Sequence, residues 1–312
     1  MRILAAYLGV IVIWSTTPLA IKWSSEGPGY LFGVAARMSI GLLCILAMLA
    51  ILRWPMPFHR RALRAYLAVT VQIYGSMQAT YWSSQFIPSG WISVVFGLTP
   101  LITALLSAVW LGERSLSASR LLSYAVGLTG LGVMFGSALR FGPGATYGIA
   151  GILLAAALQA VSSVWVKRLQ PEQPALVLVA GGLLFAVPAY LLSWLWSDGH
   201  WPIHLPFASL ASILYLGVIA TPFGFVWYFY VVKQLPPTRV ALITLITPVF
   251  SLLLGKFANA EALTPQVLEG TALILCALLL HELGGRGGLP ATVESHPRAV
   301  KSRGQNSRGN AP

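Results

Sequence analysis

Charge is what this chain has least of: Asp, Glu, Lys and Arg together make up 9% of its 312 residues. A soluble globular domain carries roughly 25%, so this composition cannot cover a water-facing surface. Acid is scarcer still, with eight Asp and Glu against twenty Lys and Arg. None of the eight lies in the middle of an apolar run: Glu26, Glu113, Glu172, Asp198, Glu261, Glu269, Glu282 and Glu294 fall in connections, near run ends or in the tail. His59, His200, His204, His281 and His296 likewise sit in connections, at a run end or in the tail. An intramembrane enzyme needs a nucleophile, a metal set or a carboxylate pair at depth, so the chain is read as no enzyme, with no metal and no cofactor. Cysteine is nearly absent. Cys44 and Cys276 each stand inside an apolar run, which excludes a disulfide framework and a metal cluster and leaves the compartment unread.

Apolar side chains are abundant, at 57% of residues, with a mean hydropathy of +0.76. Runs bounded by charge, Pro or Gly occupy about residues 3–22, 29–52, 64–86, 88–112, 118–138, 146–168, 174–197, 207–231, 237–258 and 264–283. A spanning helix needs about 20 mostly apolar residues. A closed barrel needs short alternating strands, and runs such as 121–139 do not alternate. The expected fold class is therefore an all-α integral membrane protein with ten transmembrane helices. The first run has a length and flank that a cleavable signal peptide also tolerates, but it carries Trp14 and the stretch Ser15 to Pro18, and its loss would spoil the charge pattern.

With the N-terminus placed in the cytoplasm, sixteen Lys and Arg fall on the inner side and three, Lys22, Arg140 and Lys256, on the outer side; Arg37 lies within a span. The positive-inside rule then puts both termini in the cytoplasm, and the expected location is the bacterial inner membrane. The net charge of +12 is thus a topology signal and needs no nucleic acid to explain it. Residues 284–312 are Gly-rich, polar and basic, and are expected to form a disordered, solvated tail, with attraction to anionic lipid as the alternative.

A shift of 148 residues aligns Pro88 with Pro236, Thr99 with Thr247, Pro100 with Pro248 and Glu113 with Glu261, without a gap. Apolar positions between these anchors match too, for example Ile92 with Val240 and Leu105 with Leu253. The division is five spans plus five, residues 1–141 and 142–283. Five is odd, so the second copy enters the membrane from the opposite side. Inverted-topology repeats of this kind are a hallmark of secondary transporters.

The stretch Trp14 to Lys22 with Glu26, Pro28 and Arg37 resembles the opening of EamA-type members of the drug/metabolite transporter superfamily. The doubled pattern, Pro88 to Pro100 with Leu111-Gly112-Glu113 and Pro236 to Pro248 with Glu261, Thr264, Pro265 and Gly270, is similar to the same family. The resemblance covers about residues 1–283 and implies ten helices in two repeats and export or exchange of small metabolites such as amino acids. One departure stands out: Leu122 occupies the place in the first copy that Gly270 holds in the second, so packing of the fifth helix is expected to differ there.

Several residues are candidates for the substrate site. Pro100 and Pro248, in mid-span, each free the carbonyl four residues earlier, Phe96 and Thr244, and paired breaks of this kind point to a transporter's site or to a packing kink. Tyr74, Gln78, Tyr81 and Gln85 recur at helical spacing on the third span and should face the bundle interior. Gln159 and Ser163 do the same on the sixth. Thr244, Thr247 and Ser251 on the ninth and Ser93, Thr99 and Thr103 on the fourth read more simply as interhelical hydrogen bonds. Arg37 lies roughly 14 Å into the second span by helix rise. With no acid at depth it must meet carbonyls, an amide, a helix C-terminus or an anionic substrate. Among the aromatics Trp14, Trp82, Trp227, Tyr228 and Tyr230, the deeper Trp14 and Tyr228 are kept as cavity candidates. Gly132 and Gly136 form a GxxxG pair that suits packing within the bundle or dimerisation. Glu113 and Glu261 are read as capping or ion-pairing groups.

The expected activity is secondary transport of amino acids or similar polar metabolites by alternating access around a midplane cavity between the repeats, with Gln78, Tyr81, Gln159 and Tyr228 as main contacts. The alternatives are an intramembrane enzyme or lipid-handling protein, a channel and, among transporters, a multidrug or quaternary-amine exporter. The last is weakened because the first span has no acid. Expected partners are a small-molecule substrate and membrane lipid, with the chain acting as a monomer or homodimer.

Overall fold

The computed structural model describes residues 2–112, 118–197, 199–234 and 237–284. Glu113 and nearly all of the tail lie outside the described residues. Among those described, every regular element is helical. The helices line up in chain order as α1 (Arg2–Ser25), α2 (Tyr30–Leu52) and α3, which runs from Arg60–Thr70 through Val71–Ser76 to Met77–Ser83. Next come α4 in two pieces (Ser89–Phe96 and Thr99–Leu111), α5 (Ala118–Phe141), α6 (Pro143–Leu169) and α7 (Ala175–Ser197). Last are α8 (Phe207–Leu214, Tyr215–Gly224 and Phe225–Gln234), α9 (Pro237–Asn259) and α10 (Pro265–Gly284). Six of these, α1, α2, α4, α6, α7 and α8, are long and apolar enough to cross a membrane; α5 and α10 contain shorter apolar stretches.

Two helices depart from α geometry for a stretch. Val71–Ser76 in α3 and Tyr215–Gly224 in α8 are π-helical. A π turn adds one residue to the loop each hydrogen bond closes and leaves carbonyls to be satisfied otherwise. In α3 the Tyr190 hydroxyl, from α7, meets that need: it donates to the Ile73 carbonyl at 2.5 Å and to the Tyr74 carbonyl at 3.0 Å.

The expectation that both mid-span prolines sit inside helices holds for one of them. Pro248 lies inside the continuous α9. Pro100 instead opens a new segment, at the first turn of Thr99–Leu111. There a missing N–H costs nothing, because first-turn donors have no intrahelical partner anyway.

Besides a small cluster where α1 meets α8 and α9 around Val10, Val231 and Ile243, packing divides the bundle into two large apolar bodies. One is built on α1, α2, α3, α7 and α8 around Met38, Tyr66, Tyr81 and Tyr190. The other is built on α4, α5, α6 and α10, with Leu252 of α9, around Trp91, Met134 and Ile274. Each body draws helices from both halves of the chain. The pairings exchange under a step of five helices: α1 packs on α8 and α9, and α6 packs on α3 and α4. The α5–α10 contact is close because it is made by glycines. A β-carbon on Gly130 would stand 2.9 Å from the Gly270 carbonyl oxygen. Gly132 and Gly136 face nothing within 4 Å, so the GxxxG pair is not what packs α5 into the bundle.

Candidate functional site

Between the two bodies lies a cavity of about 790 Å³. At one end it passes the buried Ile21 and Ile92; at the other it runs out to the exposed Lys167 and Gln170. The broken α4 forms much of one wall, with Ser93, Phe96, Gly97, Pro100, Thr103 and Ser107. Opposite lie Trp14 of α1, Arg37 of α2, Gln72 and Thr80 of α3, and Tyr228 of α8. Gln159 and Ser163 of α6 add to the polar lining, as do Thr17, Thr99, Thr247 and His281. No Asp or Glu is among the lining residues.

Arg37 is the deepest charge. It is 2% exposed, its Nε donates to Thr221 Oγ1 at 3.1 Å, and its Cζ lies 6.0 Å from the Tyr81 ring centroid. Its Nη1 has no hydrogen-bond partner among the described residues. An arginine at bilayer depth costs at least about 2.5–3.5 kcal/mol on insertion scales. The fold brings Thr221 to it by thinning both helices. A β-carbon on Gly41 would stand 2.6 Å from Thr221 Cγ2, and one on Gly217 would stand 3.1 Å from the Arg37 carbonyl oxygen.

The other candidates divide in two. Trp14 and Tyr228 stack with ring centroids 4.6 Å apart at the cavity wall, and Gln159 lines it. Ser163 lines it as well, although its hydroxyl already donates to the Gln159 carbonyl at 2.9 Å. Tyr74, Gln78 and Tyr81 are not among the lining residues. The Tyr74 hydroxyl bonds Ser193 Oγ at 2.8 Å, and Tyr81 is fully buried with its hydroxyl accepting from Ser24 Oγ at 3.4 Å. Pro100 and Thr247 line the cavity; Pro248 is buried outside the lining. The side chain of Thr244 lies outside what the structure describes.

Gln72, Thr80, Lys167 and His281 are cavity residues that the helical stripe does not reveal. On α3 the lining positions are 72, 77 and 80, and the first step, of five residues, is the signature of the π turn. The sequence signal for this lining is Gln72 itself, an amide on an apolar helix. His281, 8% exposed, closes the α10 side with its ring 5.8 Å from that of Tyr124.

The end of the bundle beyond Ile21 and Ile92 is tied by a polar network. Glu261 accepts from the Ser89 amide at 2.9 Å and from the Gly90 amide at 3.3 Å, capping the start of α4 with a carboxylate where the helix dipole favours one. Asn259 Nδ2 donates to the same carboxylate at 3.0 Å, and Lys22 Nζ stands 3.9 Å away. Lys22 Nζ also donates to the Ile87 carbonyl at 3.3 Å, and Trp23 Nε1 donates to Asn259 Oδ1 at 3.0 Å. The ends of α1 and α9 and the start of α4 are thereby joined. A β-carbon on Gly255 would overlap the Glu261 carboxylate, so that glycine makes room for the cap.

Comparison with known proteins bears on the whole chain. The EamA-like transporter family is matched over residues 1–136 and 146–281. A Bacillus subtilis (strain 168) protein named "Uncharacterized transporter YoaV" is 24% identical over 288 residues, 90% of this chain and 96% of that protein. A "Probable terminal-alkyne amino-acid exporter" of Streptantibioticus cattleyicolor is 26% identical over 279 residues, 86% of this chain and 92% of that one. A "Probable amino-acid metabolite efflux pump" of Salmonella typhimurium (strain LT2) is 27% identical over 207 residues, 64% of this chain and 69% of that one. A crystal structure sharing 24% identity superposes with a TM-score of 0.61 over 92% of this chain and 99% of that chain, a likeness of fold. With apolar helices long enough to cross a membrane, and with both family matches falling on the helical bundle, this chain belongs to the EamA-like transporter family.

Proposed function

We propose that the chain is a secondary transporter that exports or exchanges amino acids or similar small polar metabolites across the bacterial inner membrane by alternating access. The observation that carries this reading is the cavity: largely apolar with polar side chains set at depth, reaching exposed residues at one end, and tied off at the other by the Glu261 network. A cavity of about 790 Å³ falls in the usual range for small-molecule sites, roughly 300–1,000 Å³. In this reading Trp14, Arg37, Gln72, Gln159 and Tyr228 contact the substrate, Tyr81 backs Arg37, and the broken α4 is the flexible wall.

Ten crossings in two inverted repeats, with both termini cytoplasmic, form the frame of this reading. The exchange of helix pairings under a step of five supports it, as do the π turns in the corresponding α3 and α8. Contacts at the two ends also support it. Arg61 at the start of α3 meets Glu172 of the α6–α7 connection at 3.3 Å, both on the expected inner side. Lys22, Ser89 and Glu261 meet on the expected outer side. The two units that rock are then the two packed bodies, each mixing helices of both repeats. The amino-acid cargo is taken from the names of the relatives above.

The test is counterflow in proteoliposomes. Vesicles loaded with an unlabelled amino acid should accumulate the same labelled compound, and Gln72→Ala or Gln159→Ala should raise its half-saturation. Absence of accumulation across all amino acids would overturn the cargo. Absence across organic acids, purine metabolites and quaternary amines as well would overturn the transport reading.

A further inference from the structure

We infer that the cavity holds a carboxylate subsite at Arg37, so that the cargo is docked by a negative group of its own. For its physiological role this rests on the transport reading above; as a binding site it stands alone. Arg37 is 2% exposed and lines the cavity, yet its Nη1 has no partner among the described residues. The same guanidinium is not loose. Its Nε is held by Thr221, which the glycines at 41 and 217 bring against α2. Fixing one edge of a planar fork aims the rest, and a forked guanidinium matches a carboxylate with two parallel hydrogen bonds.

A purely bracing arginine would have its acceptors built in. Here no carboxylate among the described residues pairs with it, and Glu261 is occupied by the α4 amides, Asn259 and Lys22. Among the described residues the cavity lining carries Arg37, Lys167 and His281 and no carboxylate. A low-dielectric cleft lined by one sign of charge concentrates ligands of the other sign. A phosphate ester, with two negative charges, would call for more than one cation at depth, and Lys167 lies at the exposed mouth. One guanidinium at depth suits one carboxylate.

The test uses the full chain in nanodiscs and two matched probe series. One is L-leucine, 4-methylpentanoate, L-leucinamide and isopentylamine; the other is L-phenylalanine, 3-phenylpropanoate, L-phenylalaninamide and phenethylamine. A ligand that binds only the folded protein raises its apparent melting temperature. The expected result is stabilisation by the carboxylate-bearing members of at least one series, with the matching amide and amine at least about tenfold weaker, the size of one charge-assisted hydrogen-bonded contact. Arg37→Gln should erase the preference for carboxylate over amide, and Arg37→Lys should keep part of it. The wild-type comparison decides the matter even where Arg37→Gln does not fold. Binding of the amide or amine as tightly as the carboxylate, no stabilisation by any carboxylate, or stabilisation by inorganic phosphate instead would overturn the subsite. Counterflow of the same compounds separates the two ideas. Carboxylates that bind without flux would defeat transport and leave the subsite standing, and flux of amines alone would do the reverse.

Discussion

Helices α4 and α9 carry the same Thr-Pro pair in corresponding places, Thr99-Pro100 and Thr247-Pro248, and treat it differently. α4 stops at Phe96 and restarts at Thr99, while α9 runs unbroken from Pro237 to Asn259. At the α4 break the Gly97 amide donates to the Ser93 and Val94 carbonyls and the Leu98 amide to Val95, a tightened turn that ends one helix and begins another. The residue three before the proline is Gly97 in α4 and Leu245 in α9. Glycine is about 1 kcal/mol poorer than alanine in a helix interior, so a proline that only displaces a carbonyl in α9 coincides in α4 with a second weak point. The broken helix is also the one that lines the cavity along its length, whereas Thr247 is what α9 contributes among the described residues.

The largest expected effect comes from making α4 resemble α9. Gly97→Leu puts at the break the residue that α9 carries at the corresponding place and leaves the proline that both helices share. A β-carbon at Gly97 already meets the Val94 carbonyl oxygen at 2.8 Å. Counterflow should fall by about a hundredfold, near 3 kcal/mol of lost function, while the protein still elutes as a folded species. Retention of wild-type flux would mean that the break is ornamental. Next in size is release of the start of α4. Glu261→Gln removes the charge that caps Ser89 and Gly90, and charge-assisted bonds are worth about 1.5–3 kcal/mol. Thiol reagents added from the outer side should then label a cysteine placed at Ser93 about tenfold faster; an unchanged rate would remove Glu261 from the closure.

A smaller effect carries the bent-versus-straight contrast to α3. Gln72→Ala should raise the half-saturating substrate concentration by roughly tenfold, one net hydrogen bond, and Gln78→Ala by under about threefold. The reverse order would mean that the π turn does not aim this helix as the structure has it. Smallest is Pro248→Ala. In the continuous α9 it restores a helical N–H and should leave flux within about threefold and stability unchanged or slightly higher, by up to about 1 kcal/mol, checked by counterflow and thermal unfolding.

Much of this bundle was legible as sequence, because long apolar runs and the rule against bare backbone in lipid leave few options. The runs expected at 29–52, 174–197 and 237–258 coincide within a residue or two with α2, α7 and α9. Glu261 was legible as a cap, although its partner helix begins 172 residues earlier in the chain. Arg37, Trp14, Gln159 and Tyr228 stand on the cavity wall because groups too polar or too bulky for lipid collect where helices part. The stripe Tyr74, Gln78, Tyr81 and Gln85 assumes a constant α period, and the π turn at Val71–Ser76, which includes Tyr74, changes the register at its start. That turn depends on Tyr190 arriving from α7 to satisfy two carbonyls, a tertiary event with no trace in local spacing. Of the two readings of the glycine pair 132 and 136, packing within the bundle falls for a similar reason: the motif marks small residues, while the closest approach depends on which face of α5 meets α10, and that face holds Gly130.

The central claim is that this cavity is opened and closed at its two ends by turns. Trp23 and Asn259, in contact at 3.0 Å across the tied end, offer the most direct control. In a background with Cys44→Ser and Cys276→Ser, cysteines at these two positions joined by a short thiol-cleavable bifunctional reagent hold that end shut while Glu261 keeps the Ser89 and Gly90 amides. Counterflow should drop by more than about tenfold on crosslinking and return on reduction. Flux that continues at the uncrosslinked rate while the ends remain joined would contradict alternating access through this cavity.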